Sequence, residues 1–259
     1  MRFTIIGAHN LESNGSKLPC ILIDEKIALD AGSLASGLSF FQQQSIKAIF
    51  LSHAHYDHVR DIPCLGLYRL HHLKEVEPLL VFGTSRTLEI LSQNLINGII
   101  YPRFTERPSP EKPTMKLIPL EILNSFSFEN LTFLPIPVNH GEEAVGFGIF
   151  YEDKAVFYTG DTGPGLGHCW EHITPQFLIV DVTLPDSLVS VALEGKHLTP
   201  SLLKKELEEF KDIKGFFPSV ICVHVNPHYE ADIRREIKAV EEELKTSIKV
   251  GFEGYSILL

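Results

Sequence analysis

Short apolar runs alternate along this chain with stretches whose apolar residues recur at three- and four-residue spacing. The runs at 3–6, 20–23, 26–29, 48–51, 79–82, 132–136, 145–150, 155–158, 177–180 and 220–223 are rich in Ile, Val, Leu and Phe. Several are bounded by Gly, Pro, Asn or Asp, so they predict β-strands. Helical spacing covers 84–96, 200–210 and 231–244. Thr84 or Ser85 can cap the first of these; Thr199 can cap the second, with Pro200 at its first helical position. Strand-rich stretches and single helices alternate in both halves. The expected fold is therefore α/β (α+β), a four-layer αββα sandwich of two sheets with helices outside. The Pro-rich stretch 101–113 reads as a surface loop rather than a linker, and one domain spanning 1–259 is expected.

Composition adds limits. The 259 residues are 44% hydrophobic and 22% charged, enough apolar mass for a sizeable core. A formal net charge of −10 argues against broad nucleic-acid binding, which needs a basic face to displace counterions. It leaves room for a small anionic substrate, because metal cations can reverse the local field of a cleft. Cys20, Cys64, Cys169 and Cys222 are far apart and form no CxxC pair, which disfavours a disulfide framework or a zinc finger and fits a reducing compartment. The opening MRFTIIGAHN lacks a signal-peptide pattern, and no apolar run approaches a membrane span. A cytoplasmic location without membrane attachment is the expectation.

The chemistry concentrates in His53-Ala54-His55-Tyr56-Asp57-His58, directly after the apolar run 48–51. In an extended segment residues two apart point the same way, so His53 and His55 can grip one ion. Asp57 and His58 lie where the chain turns into a helix and can aim at a second. Imidazole nitrogens and carboxylate oxygens suit zinc, manganese or iron. A solvated polar loop is the plain alternative; three His and one Asp in six residues behind an apolar strand weigh against it. Downstream, His140 follows an apolar segment in Val138-Asn139-His140-Gly141, and Asp161 sits in Thr159-Gly160-Asp161-Thr162-Gly163. The glycines permit a tight turn, and a carboxylate there can bridge two ions, which sit about 3.5–4 Å apart in such sites. Alone, each of these is weak evidence; in series with the histidine run they reinforce it.

HAHYDH resembles the HxHxDH signature of the metallo-β-lactamase superfamily, whose later single His, TGDTG and C-terminal His follow here in the same order. The likeness covers nearly the whole chain, beginning around Asp30-Ala31-Gly32-Ser33. It implies His53, His55 and His140 on a first metal, Asp57 and His58 on a second, and Asp161 as the bridge. Cys222-Val223-His224-Val225-Asn226-Pro227-His228-Tyr229 resembles a C-terminal motif of the phosphodiesterase branch, in which a His follows the last core strand. His224 matches as the first polar residue past 220–223, with His228 as its rival. His197, in Gly195-Lys196-His197-Leu198-Thr199-Pro200, resembles a non-ligand His that faces the substrate in that branch. A helix-entry histidine with its ring in solvent is the plainer reading.

The branch holds the long-form transfer-RNA 3′-processing nucleases and the class II cyclic-nucleotide phosphodiesterases. Segments 27–34 and 100–104 resemble the latter, although Tyr56 stands where that class usually has Leu, and no Lys-rich arm for gripping transfer RNA is present. The resemblance implies hydrolysis of a small phosphodiester, a 3′,5′-cyclic nucleotide foremost, by hydroxide activated at two divalent metal ions, zinc first and manganese or iron as alternatives. Asp57 or Asp161 would orient the nucleophile, and His197 would stabilise the developing charge or protonate the leaving oxygen. The expected partner is a small-molecule phosphodiester rather than nucleic acid; a homodimer stays open. Competing readings are an RNA 3′-end endonuclease, a thioester or lactone hydrolase, and a ligand-binding protein without turnover. Blander assignments go to residues 163–167 as a loop, His71-His72 as surface, and Glu241-Glu242-Glu243 as a solvated helix face.

Overall fold

The computed structural model describes residues 1–72 and 77–259. They form two compact units. Met1–Gly7, Glu12–Leu120 and Glu253–Leu259 make the first; Ala8–Leu11 and Glu121–Phe252 make the second.

In the first unit β1 (Arg2–Gly7), β2 (Cys20–Ile23) and β3 (Ile27–Leu29) run antiparallel, and after α1 (Phe40–Ser45) the strand β4 (Ala48–Phe50) joins β3 in parallel. The helices α2 (Tyr56–Val59) and α3 (Ile62–His72) precede β5 (Leu79–Thr84) and α4 (Ser85–Asn94). The two-residue strands β6 (Pro108–Ser109) and β7 (Lys112–Pro113) pair with each other before β8 (Met115–Leu120) adds to β5 in parallel. A strand at Ser256–Leu258 pairs with β1, so the 7-stranded sheet runs from it through β1, β2, β3, β4 and β5 to β8.

The parallel strands read as unbroken apolar runs because both their faces are covered: Ala48, Ile49 and Phe50 are all fully buried. Thr84 caps α4 as its position predicts, accepting the Thr87 N–H. Segment 101–113 lies at the surface as expected, with one buried residue, Phe104, and the short β6–β7 pair inside it. Phe104 inserts fully into the core beside Leu65 and Met115, so the loop is nailed down by one aromatic side chain.

The second unit begins with an antiparallel meander of β9 (Phe126–Phe128), β10 (Leu131–Pro137), β11 (Val145–Tyr151) and β12 (Lys154–Tyr158). β13 (Phe177–Asp181), β14 (Ser219–Val223) and β15 (Ile248–Val250) follow in parallel, reached through α5 (Val189–Gly195), α6 (Pro200–Lys214) and α7 (Glu230–Leu244). The final strand of the chain, already placed beside β1, is β16. Thr199 accepts the Leu202 N–H, Pro200 opens α6, and Gly215 closes it at φ +83°. The apolar stripes of α6 and α7 bury Leu203, Leu207, Phe210, Ile233 and Ile237 in one core cluster with Trp170, whose ring meets Phe157 and Phe210 edge-on. Such aromatic pairs add about 0.5–1.5 kcal/mol each beyond their area.

In each unit the parallel strands end at one edge of their sheet. Open α/β sheets place functional loops at these carboxyl ends. Among the described residues no helix is long and apolar enough to cross a membrane.

Candidate functional site

In the first unit the chain leaves β3 at Asp30, in the left-handed conformation at φ +56°. That backbone costs about 1–3 kcal/mol for a residue with a side chain and persists where surrounding contacts hold it. The contacts are visible. The fully buried Asp30 carboxylate accepts the Ser52 N–H and the Ser52 hydroxyl at 2.8 Å each, and Oδ2 lies 2.8 Å from His58 Nδ1. Ser52 and His53 follow the buried strand β4 after one further buried residue, Leu51. The His55 carbonyl accepts the His58 N–H at 3.0 Å and opens α2.

The run therefore changes from extended to helical at Tyr56, which gathers four polar side chains. The His53 ring lies 4.5 Å from His55 and 4.2 Å from His58, and His58 Nε2 is 3.5 Å from Asp57 Oδ2. His53 and His58 are buried, Asp57 is half-buried and His55 is exposed. Gly32 makes this packing feasible, because a Cβ there would sit 1.9 Å from the Asp57 carbonyl oxygen.

In the second unit three loops supply donors. His140 follows β10, Asp161 follows β12 after Gly160 (φ +60°), and His224 follows β14 in a left-handed conformation at φ +61°. His140 Nε2 lies 3.7 Å and His224 Nε2 3.3 Å from Asp161 Oδ2. His140 Nδ1 lies 3.0 Å from the Lys196 carbonyl oxygen. A carbonyl only accepts, so Nδ1 carries the proton and Nε2 presents its lone pair beside Asp161. Burial pushes the His140 pKa down despite the Asp161 charge, which favours this neutral form. His224, not His228, stands against Asp161: His228 is exposed, and its backbone N–H donates to Asn226 Oδ1 at 3.0 Å.

His197 is not a solvent-facing helix-entry residue. Its Nδ1 lies 2.6 Å from Asp181 Oδ2, and its ring stacks on His224 at 5.2 Å and tilts over His140 at 5.0 Å. Burial opposes its charge, but the fully buried Asp181 outweighs burial and holds the His197 pKa up. Burial likewise pushes the Asp181 carboxyl up, and the charges and hydrogen bonds of His197 and His224 more than offset it, leaving its pKa lowered.

Asp181, His197 and His224 are close enough to resemble a metal cluster by distance alone. The Nδ1 atoms of both histidines instead face oxygens of Asp181 and Thr183, so these three form a hydrogen-bond network rather than an ion site. Asp181 went unnoticed in the sequence, although an acid inside the apolar Ile179-Val180-Asp181-Val182 run must find a partner. Glu206 of α6 was also missed. Its carboxylate accepts the Gly165 and Leu166 N–H groups at 2.9 and 2.7 Å and ties down the turn after Asp161.

The donors are imidazole nitrogens and carboxylate oxygens, a set that fits divalent zinc, manganese or iron. Thiolates are absent from it: burial holds the Cys20 and Cys222 thiols well above their ordinary pKa.

Residues 29–225 match the family model described as "Beta-lactamase superfamily domain". The chain belongs to this superfamily. It is 27% identical over 238 residues to a Yersinia pestis protein named "Probable 3′,5′-cyclic-nucleotide phosphodiesterase", the match covering 82% of this chain and 66% of that protein. The chain thus spans slightly less than two-thirds of the length of this relative. Among solved structures it resembles the metallo-β-lactamase fold protein YhfI from Bacillus subtilis, with TM-score 0.78, 16% identity and 99% of each chain covered. It also resembles unliganded yeast PDE1, with TM-score 0.82, 18% identity, and 100% of this chain and 99% of that one covered. The fold is the metallo-β-lactamase fold, as the histidine run led us to expect, and this fold implies divalent metals. Superfamily membership together with a phosphodiesterase-named relative supports a metal-dependent hydrolase.

Proposed function

We propose that this chain is a metal-dependent phosphodiesterase acting on a small phosphodiester, a 3′,5′-cyclic nucleotide foremost. The family match at 29–225 runs through both units, which supports reading them as one hydrolase domain over 1–259. His53, His55, Asp57 and His58 of the first unit and His140, Asp161 and His224 of the second would hold two divalent ions, with zinc the first candidate for this nitrogen-and-oxygen donor set. When bound, such ions activate water and neutralise phosphoryl oxygens.

The observation that carries the reading is His197. A histidine whose Nδ1 is engaged by a buried carboxylate, and whose pKa that carboxylate holds up, is more readily a proton donor than a free imidazole. Its ring lies against two of the proposed ligands, His140 and His224, which supports a role for its Nε2 in protonating the oxygen that leaves a phosphorus atom bound there. Alcohol leaving groups need that proton, as the ribose oxygen of a cyclic nucleotide does. Asp57 or Asp161 would orient the nucleophile. The net charge of −10 suits a small substrate better than a polynucleotide.

The test is a turnover comparison at matched zinc, manganese or iron loading. Cyclic AMP, cyclic GMP, a precursor transfer RNA with a 3′ trailer and a thioester are offered side by side. We expect hydrolysis of a cyclic nucleotide, with little dependence on salt. Efficient, steeply salt-dependent RNA cleavage with cyclic nucleotides untouched makes it a nuclease instead. Turnover of the thioester alone refutes the phosphodiesterase reading.

A further inference from the structure

Each unit fixes two histidines from one buried aspartate, one directly and one through a hydroxyl. In the first, Asp30 Oδ2 lies 2.8 Å from His58 Nδ1 and 2.8 Å from Ser52 Oγ, which lies 3.0 Å from His53 Nδ1. In the second, Asp181 Oδ2 lies 2.6 Å from His197 Nδ1, and Thr183 Oγ1 lies 2.6 Å from Asp181 Oδ1 and 2.7 Å from His224 Nδ1. Thr183 Oγ1 is also 3.3 Å from His197 Nδ1, a longer contact than the other two. Its backbone is clamped on both sides, donating to the Leu198 carbonyl at 3.1 Å and accepting from the Asn226 N–H at 3.0 Å.

A hydroxyl has one proton, and a carboxylate only accepts. Once the Ser52 and Thr183 protons point at Asp30 and Asp181, each hydroxyl oxygen has only lone pairs left for the adjacent imidazole. The imidazole must then donate from Nδ1, which leaves Nε2 as the unprotonated, ligand-ready nitrogen. We propose that Ser52 and Thr183 are positioning residues that select this tautomer in His53 and His224. His58 receives the same selection directly from Asp30, and His140 from the Lys196 carbonyl. Four proposed ligands are thus set before any ion arrives, so metal capture carries no cost of tautomer exchange. The inference rests on the metal-dependent reading above, although the tautomers themselves do not.

The experiment pairs Thr183→Val, which keeps the shape and removes the hydroxyl, with Thr183→Ser, which restores it, and adds Ser52→Ala in the other unit. Long-range nitrogen–proton NMR of the imidazoles in chelator-treated protein reads the tautomers. Competition with a chromophoric chelator reads zinc affinity. We expect His53 and His224 as Nδ1–H in the wild type, loss of that preference at His224 in Thr183→Val, and its recovery in Thr183→Ser. Zinc affinity should fall about 10- to 100-fold in Thr183→Val and Ser52→Ala, the usual effect of losing an outer-shell partner. Nε2–H at His224 in the wild type overturns the proposal, as does a folded Thr183→Val protein that holds zinc undiminished. Should Thr183→Val not fold, the wild-type tautomers and Ser52→Ala still decide. Should the wild type bind none of zinc, manganese and iron, the metal reading fails and the NMR result alone judges the positioning.

Discussion

Replacing Asp181 by asparagine separates a structural acid from one that serves chemistry. The fully buried carboxylate takes the Thr162 N–H at 3.1 Å, the Thr183 hydroxyl at 2.6 Å and His197 Nδ1 at 2.6 Å. An asparagine has one acceptor oxygen and an NH₂ that must face one of those donors. Hydrogen bonds to a charged group contribute about 1.5–3 kcal/mol each, and breaking a buried pair costs about 3–5 kcal/mol. The His197 side chain keeps 19% exposure and can recover some hydration, so the lower end, about 3 kcal/mol, is expected. For a chain of this size that is a fall in Tm of about 6–12 °C.

The pH dependence of stability, measured on chelator-treated protein, follows from two opposite shifts. The Asp181 pKa is lowered on folding, so its contribution is present above the unfolded carboxylate value of about 4 and is lost as pH falls through the folded one. The His197 pKa is raised, so its contribution is complete below about 6.5 and is lost as pH rises through its folded value. Wild type and Asp181→Asn should therefore differ most between about pH 4 and 6.5. In the zinc-loaded enzyme, loss of the aspartate lowers the His197 pKa and moves the basic limb of the pH–rate profile to lower pH. Turnover of a cyclic nucleotide should drop about 10²–10⁴-fold. A p-nitrophenyl diester, whose leaving group needs no proton, should lose much less. An Asp181→Asn protein with Tm within about 2 °C of wild type and unchanged turnover of both substrates would refute the argument.

Other outcomes follow from the same geometry. His197→Ala should keep the wild-type metal content by elemental analysis while turnover falls about 10²-fold or more; loss of a metal equivalent would make His197 a ligand. His224→Ala should lose metal and His228→Ala retain it, because only His224 stands against Asp161; the opposite pattern moves the ligand along the chain. Glu206→Gln puts an amide NH₂ against the Gly165 or Leu166 N–H and should cost about 1–3 kcal/mol by urea unfolding at neutral pH. Burial raises the Glu206 pKa above its unfolded value despite those N–H groups, so the wild-type contribution is complete below about pH 4.3 and declines as pH rises through the folded value. Denaturation series from pH 4 to 7 should show that decline in wild type and not in the glutamine variant.

The readability of this chain tracks how local each constraint is. The histidine run was legible because its donors are contiguous and follow a buried strand, and the caps at Thr84 and Thr199 because a cap is decided within four residues. β8 was missed: Met115–Leu120 carries Pro119, which argues against a central strand, and the residue is tolerated because β8 ends the sheet beside β5. The helical stretch expected after His58 and around His71-His72 is α3, although its bounds were not legible because Pro63 and Gly66 interrupt the pattern; Gly66 lies where a Cβ would sit 2.5 Å from the Met115 side chain.

Asp30 and Asp181 pose a different problem. Their partners lie 22 and 28 residues away at Ser52 and His58, and 16 residues away at His197, distances that no local periodicity reports. Composition still offered a clue. Each acid interrupts an apolar run, Ala28-Leu29-Asp30-Ala31 and Ile179-Val180-Asp181-Val182, where an ionised side chain is costly without donors. Such an acid implies a cluster of N–H and O–H groups from elsewhere in the fold. In a chain already marked by a histidine-rich run, imidazoles are the donors to look for first. An acid in an apolar strand end therefore points to the residues that orient a site, whereas the histidine run points only to the residues that form it.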